Sequence, residues 1–132
     1  MKTTYFSVVC VWITATLLSF ATVAWAQDVV LENPREPVMA PGLNLGKMNY
    51  ETFCASCHGK TARGTDKGPT FISKIYHPGH HGDGAFYLAS KRGVRAHHWP
   101  FGNMPPIEGV NDAQIQSIIE YVRAIQKTNG VF

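Results

Sequence analysis

The chain has 132 residues, 45% of them apolar, and a formal charge of +3 from 12 basic and 9 acidic side chains. That length allows one domain at most, and no internal repeat or low-complexity tract suggests a solenoid or a disordered tail. Six histidines and only three cysteines direct attention to ligand chemistry and away from a disulfide framework.

At the N-terminus, Lys2 is followed by an uncharged run from Thr3 to Gln27 with an apolar centre from Val8 to Ala24. Ala24-Trp25-Ala26 then has the small-x-small pattern of a secretory cleavage site. Residues 1–26 read as a signal peptide cut after Ala26, which places the mature protein in the periplasm. A retained membrane anchor is the alternative, since the apolar run is nearly long enough to span. Thr14, Thr16, Ser19 and Thr22 count against it, and membrane association is expected only if this segment is kept. Cys10 lies inside the apolar stretch without a lipidation context. Residues 27–43, with Pro34, Pro37 and Pro41, form a proline-rich leader that reads as a linker or as a strap laid over the domain. The domain proper is expected over 44–132.

A first helix is expected from about Leu45 to Ala55, with Asn44 as its N-cap. Gly46, Tyr50 and Cys54 fall one turn apart on one face. Cys54-Ala-Ser-Cys57-His58 is the most specific motif in the chain. Two thiols three positions apart can add to the two vinyl groups of one porphyrin, and the adjoining imidazole can bind its iron, so C-x-x-C-H reads as a covalent haem c attachment site. A zinc site would need two further close-spaced ligands, and a redox dithiol would follow a strand in a βαβ unit; neither context is present. With Cys10 removed, no spare cysteine pair remains, and one covalently held haem supplies the staple that a small exported domain needs.

Further along, a short helix is expected from about Gly84 to Arg92, capped by Asp83, with Lys91 and Arg92 at its negative end and Gly93 as its stop. The last helix has the clearest pattern. Ile115, Ile118, Ile119, Val122 and Ile125 make one apolar stripe, with Gln114, Gln116, Glu120 and Arg123 outside it. Asn111 and Gln114 resemble a capping box, and Gly130 follows the end. No stretch alternates strongly enough to suggest a sheet.

Iron held by His58 needs a sixth ligand from the chain if it is to exchange electrons without rearrangement. Met104 is the favoured donor: 46 residues beyond His58, it has enough chain to cross the ring, and Pro105 and Pro106 stiffen its loop. Met48 is too close to the attachment site and Met39 lies in the leader. His97 or His98 could replace Met104, which would lower the potential. Trp99 and Phe101 are expected to wall the haem crevice and keep water out.

In this order the elements resemble a class I, mono-haem cytochrome c. The resemblance rests on Gly46-x-x-x-Tyr50, Cys54-x-x-Cys57-His58-Gly59, Lys67-Gly68-Pro69, and Asn103-Met104-Pro105-Pro106 followed by a helix carrying Tyr121, and it covers roughly Leu43 to Gln126. It implies an all-α fold, the small cytochrome c fold with helices packed around one haem. It also implies that Gly46 lets the last helix approach, that the Pro69 carbonyl accepts a hydrogen bond from His58, and that His58 and Met104 are the iron ligands. The implied function is a monomeric one-electron carrier, not an enzyme, serving redox partner proteins and no nucleic acid. Two rival readings are a catalytic or sensing haem protein with an opening sixth position, and a dedicated redox partner of one metalloenzyme.

Two features depart from a generic member. His77, His80 and His81, with Asp83, and the pair His97 and His98 could meet across the short helix as three ligands plus Asp83 for copper, zinc or nickel, or could be ordinary turn and crevice residues. Lys60, Arg63, Lys67, Lys74, Lys91, Arg92 and Arg95 stand between Cys54 and Met104 against only Asp66 and Asp83. They form either a solvated surface or a basic rim that steers acidic partners.

Overall fold

The computed structural model describes residues 33–132; the expected signal peptide and the start of the leader lie outside them. The described residues form four α-helices and one 3-10 turn: α1 (Pro41–Phe53), α2 (Ala55–His58), the turn Lys74–Tyr76, α3 (Asp83–Arg92) and α4 (Asp112–Thr128). No strand occurs among them; one isolated antiparallel bridge joins Val94 to Met104. No helix among them is long and apolar enough to cross a membrane.

Helix α1 starts at Pro41, four residues before the expected Leu45, and its N-cap is Ala40 instead of Asn44. Pro41 occupies the first helical position, where its fixed φ suits the helix and its missing N–H costs nothing. A proline that looked like the end of a linker therefore opens the helix. The leader is a strap in its described part. Residues 33–40 are non-helical, with Arg35 hydrogen-bonded through its N–H to Asn129 Oδ1 at 2.8 Å and through its guanidinium to the Thr128 carbonyl at 2.7 Å. Glu36 pairs with Lys47 at 2.7 Å. These contacts tie the strap to the end of α4 and to α1.

Both ends of α4 are closed by local chemistry. The Asn111 side chain accepts from the Gln114 N–H, and the Gln114 side chain accepts from the Asn111 N–H, each at 2.9 Å, completing the capping box. A cap of this kind contributes about 1 kcal/mol. At the other end Gly130 has φ +74. The N–H of Val131 reaches back to the Gln126 carbonyl and that of Gly130 to Lys127, which is the Schellman arrangement. Between the caps, Ile115, Ile118, Ile119, Val122 and Ile125 are all buried. Each such side chain contributes roughly 1.5–3 kcal/mol on burial.

Helices α1 and α4 make the principal helix contact, and Gly46 sets their approach. A Cβ at Gly46 would run into the Ser117 carbonyl oxygen and lie 2.9 Å from Tyr121 Cβ. Tyr50 and Tyr121, both fully buried, meet at this crossing with ring centroids 5.4 Å apart. The Tyr50 hydroxyl donates to the Gly59 carbonyl at 2.7 Å. The Tyr121 hydroxyl is buried with no hydrogen-bond partner, and burial pushes its pKa up to about 12. An orphaned buried hydroxyl costs about 1–3 kcal/mol. Tyr121→Phe is therefore expected to stabilise the protein by about 1 kcal/mol, measured as a rise in the denaturation midpoint with an unchanged slope.

One expectation at α3 is corrected. Asp83 is the first residue of α3, not its cap; Gly82 holds the cap position with no side-chain bond. The Asp83 carboxylate instead takes the Arg123 Nε–H at 2.7 Å. Arg123 lies outside the apolar stripe of α4, as expected, but its side chain is only 13% exposed. Its guanidinium donates to the carbonyls of Tyr76 (2.7 Å) and His81 (2.6 Å) and to Gln126 Oε1 (2.7 Å), and lies over the Phe86 ring at 4.8 Å. Fully buried Gln126 completes the link, its Nε2 donating to the Phe71 carbonyl at 3.0 Å. One arginine and one glutamine thus hold the irregular segment 71–83 on α4.

Candidate functional site

The site begins where α1 breaks. At Cys54 the backbone leaves the helix (φ −121°, ψ −34°), and the single turn α2 ends at His58, followed by Gly59 with φ +78. Both thiols are free. Cys54 is buried, and desolvation first, then the neighbouring Cys57, pushes its pKa up to about 12. A group so placed is a thiol at neutral pH. The loop beyond closes tightly on this turn. Thr65 donates from Oγ1 to the Cys57 carbonyl at 2.6 Å, and the Gly64 N–H donates to the His58 carbonyl at 2.8 Å. A Cβ on Gly68 would come within 3.0 Å of the Cys57 carbonyl oxygen.

That loop delivers Pro69 to the imidazole. His58 Nδ1 lies 2.9 Å from the Pro69 carbonyl oxygen. A carbonyl can only accept, so Nδ1 carries the proton and Nε2 keeps its lone pair for a metal. Burial lowers the His58 pKa, opposed by the Pro69 carbonyl, so the ring is the neutral ligand form at neutral pH. Phe71 stacks on it at 4.1 Å between centroids.

Cys54, Cys57, His58, Pro69 and Met104 all line one cavity of about 540 Å³, within the range of small-molecule and cofactor sites. Ile115, Ile118 and Ile119 of α4 form part of its wall, as do Phe86 and Leu88 of α3. Trp99 and Phe101 line it as well. Of the three methionines among the described residues, Met104 alone reaches it: Met48 is 64% exposed on α1, and Met39 packs against the core. The Met104 backbone is held by two hydrogen bonds with Val94, at 2.9 and 3.0 Å. Beside it, Gly93 has φ +73, and a Cβ there would strike the Met104 carbonyl oxygen. The glycine expected merely to stop α3 also makes room for the methionine loop.

A family model described as Cytochrome c matches residues 43–126. The chain belongs to the cytochrome c family. No curated protein and no solved structure matches it. This cytochrome c is all-α and is a haem electron carrier that binds haem c covalently. The residues present fit that group: a mostly apolar cavity, two free thiols, and an imidazole with a free Nε2. The buried Trp99 indole N–H adds an unsatisfied donor with the Tyr76 hydroxyl as its polar neighbour, suited to the carboxylates that haem carries.

The histidines divide. His81, His97 and His98 line the cavity, whereas His77 and His80 do not. His80, His81 and His98 nevertheless come together, and His97 packs on His81 and His98. Burial, then the neighbouring imidazoles of His97, His81 and His80, hold the His98 pKa below its ordinary value. Asp83 is not part of this group, and its Oδ1 accepts from Arg123. Lys60, Arg63, Lys67, Lys74, Lys91, Arg92 and Arg95 are all exposed, and Lys91 is ion-paired with Asp112 at 2.7 Å. What sequence reasoning missed is Arg123, whose partners lie 40–47 residues away in an irregular segment.

Proposed function

We propose that this cytochrome c is an exported, monomeric carrier in which Cys54 and Cys57 would hold the haem and His58 and Met104 would supply its iron ligands. The observation that carries the reading is the contact of His58 Nδ1 with the Pro69 carbonyl, made in a cavity that Cys54, Cys57 and Met104 also line. Bound haem c supplies a one-electron iron couple. Pro69 fixes the tautomer and orientation of His58, as outer partners of metal-bound imidazoles do. Met104 offers a soft, neutral thioether, and Met/His ligation keeps the reduction potential high. Trp99 and Phe101 line the cavity, and an apolar wall there would limit water and tune the potential further. No residue here is assigned a proton-transfer or bond-breaking role. The exposed basic residues around the attachment segment favour acidic redox partners at a weak, transient docking face. Export rests on the signal-peptide pattern of residues 1–26, with cleavage after Ala26 and a periplasmic mature protein.

The test is the optical spectrum of the matured protein in both oxidation states, with Met104→Ala alongside. The wild type is expected to be low-spin with the weak far-red sulfur–iron band, and to resist carbon monoxide when reduced. Met104→Ala is expected to keep its haem, lose the band and bind the gas. A high-spin or gas-binding wild type would sink the reading, and a low-spin wild type without the band would transfer the sixth ligand to His97 or His98.

A further inference from the structure

The two histidine-rich segments are anchored independently and meet at one point. The first is a turn in which the N–H groups of His80 and His81 donate to the His77 carbonyl at 2.8 and 2.9 Å. Arg123 fastens it by donating to the His81 carbonyl. The second lies in the loop closed at its base by the Val94–Met104 bridge, within which the Ala96 N–H donates to Asn103 Oδ1 at 2.9 Å. Their rings converge: the centroids of His80, His81 and His98 lie 4.6, 5.4 and 5.2 Å apart pairwise.

One donor nitrogen from each of His80, His81 and His98 lies within 4.8 Å of the other two. Imidazoles bound at 2.0–2.1 Å to a tetrahedral ion have nitrogens about 3.3 Å apart. The three donors therefore need to close by at most about 1.5 Å. His80 and His98 are exposed, so side-chain rotation suffices. His81 is already oriented. Its Nδ1 lies 2.7 Å from the Ile75 carbonyl oxygen, which places the proton there and leaves Nε2 as the ligand atom, the outer contact typical of metal-bound histidine. The donor set is all nitrogen: Asp83 is not in the group, and its Oδ1 accepts from Arg123. Calcium and magnesium, which want oxygen ligands, are disfavoured.

We infer that His80, His81 and His98 form a second metal site, separate from the haem iron, that binds one divalent first-row ion of the imidazole-preferring zinc and copper class. The fourth position is open to water. Because His81 and His98 also line the haem cavity, the ion sits at its histidine-walled side. The inference stands with Met104 or His97 as the sixth iron ligand and requires only that His98 is not that ligand.

The test is a titration of tag-free, metal-stripped holoprotein with Zn(II), followed by calorimetry and by equilibrium dialysis. Zinc is redox-inert and leaves the haem oxidation state alone. One zinc per haem is expected. His80→Ala and His98→Ala should each weaken binding at least about 10-fold, since even an outer partner of a metal-bound histidine is worth that much. His77→Ala, outside the three, should bind as the wild type does. The haem spectrum, recorded on every variant, checks that the domain is intact and reports separately on the carrier reading. Absence of stoichiometric binding, or binding equal in His80→Ala, His98→Ala and wild type, would overturn the site.

Discussion

Arg123→Ala is expected to lower the stability of the holoprotein by about 3 kcal/mol, because the carbonyls of Tyr76 and His81 and the amide of Gln126 lose a charged donor together. Hydrogen bonds to charged groups are worth about 1.5–3 kcal/mol each, and water entering the vacated space recovers part of the loss. The ion pair with Asp83 contributes little of this. The Asp83 side chain is 63% exposed, and exposed pairs are worth about 0–1 kcal/mol. Asp83→Asn should therefore cost less than about 1 kcal/mol, and Arg123→Lys should recover little, since an ammonium cannot reproduce the fork that reaches four acceptors. Denaturant unfolding of the three variants checks the order. Equal losses for Arg123→Ala and Asp83→Asn would mean that the ion pair, not the carbonyl contacts, holds segment 71–83 down.

Gly46→Ala is expected to destabilise the protein by about 2 kcal/mol, the balance of two opposed effects. Alanine gains roughly 1 kcal/mol of helix propensity over glycine. Against this, its methyl group meets the Ser117 carbonyl and the Tyr121 Cβ, neither of which can swing aside as a side-chain tip could, so α1 and α4 must move apart. Overpacking of this kind costs typically 1–3 kcal/mol and occasionally more, and here it lies at the upper end because the obstacle is backbone. Gly84 is the control. Nothing lies within 4 Å of a Cβ built there, so Gly84→Ala should be neutral or stabilise by up to about 1 kcal/mol. Thermal melts that show Gly46→Ala as the more stable of the two would refute the close-crossing account.

The features legible in the sequence are those encoded by local spacing. The haem motif at Cys54-Ala-Ser-Cys57-His58, the face shared by Gly46, Tyr50 and Cys54, and the capped apolar stripe of α4 each depend on residues within one or two helical turns. The start of α1 was misjudged because Pro41 has two meanings, linker and first helical residue, and only packing distinguishes them. The 3-10 turn Lys74–Tyr76 has no periodicity to detect; it is set by Ser73, whose side chain accepts from the Ile75 N–H. Asp83 and Arg123 illustrate the harder case. Asp83 has a plausible local role as a cap and Arg123 a place outside the apolar stripe, but the two side chains meet across 40 residues. Three of the histidines that looked able to share an ion do converge, but without the carboxylate expected beside them.

The clamp between Val94 and Met104 has a kinetic consequence. Met104 is presented by a backbone hydrogen-bonded in both directions and seated against Gly93, so the point from which its side chain enters the cavity is set by the folded chain. A donor fixed in this way offers nearly the same geometry to either oxidation state of a metal. With Met104 as the proposed iron ligand, the rearrangement at each electron transfer would be small, and turnover would follow how often a partner arrives and how soon it leaves.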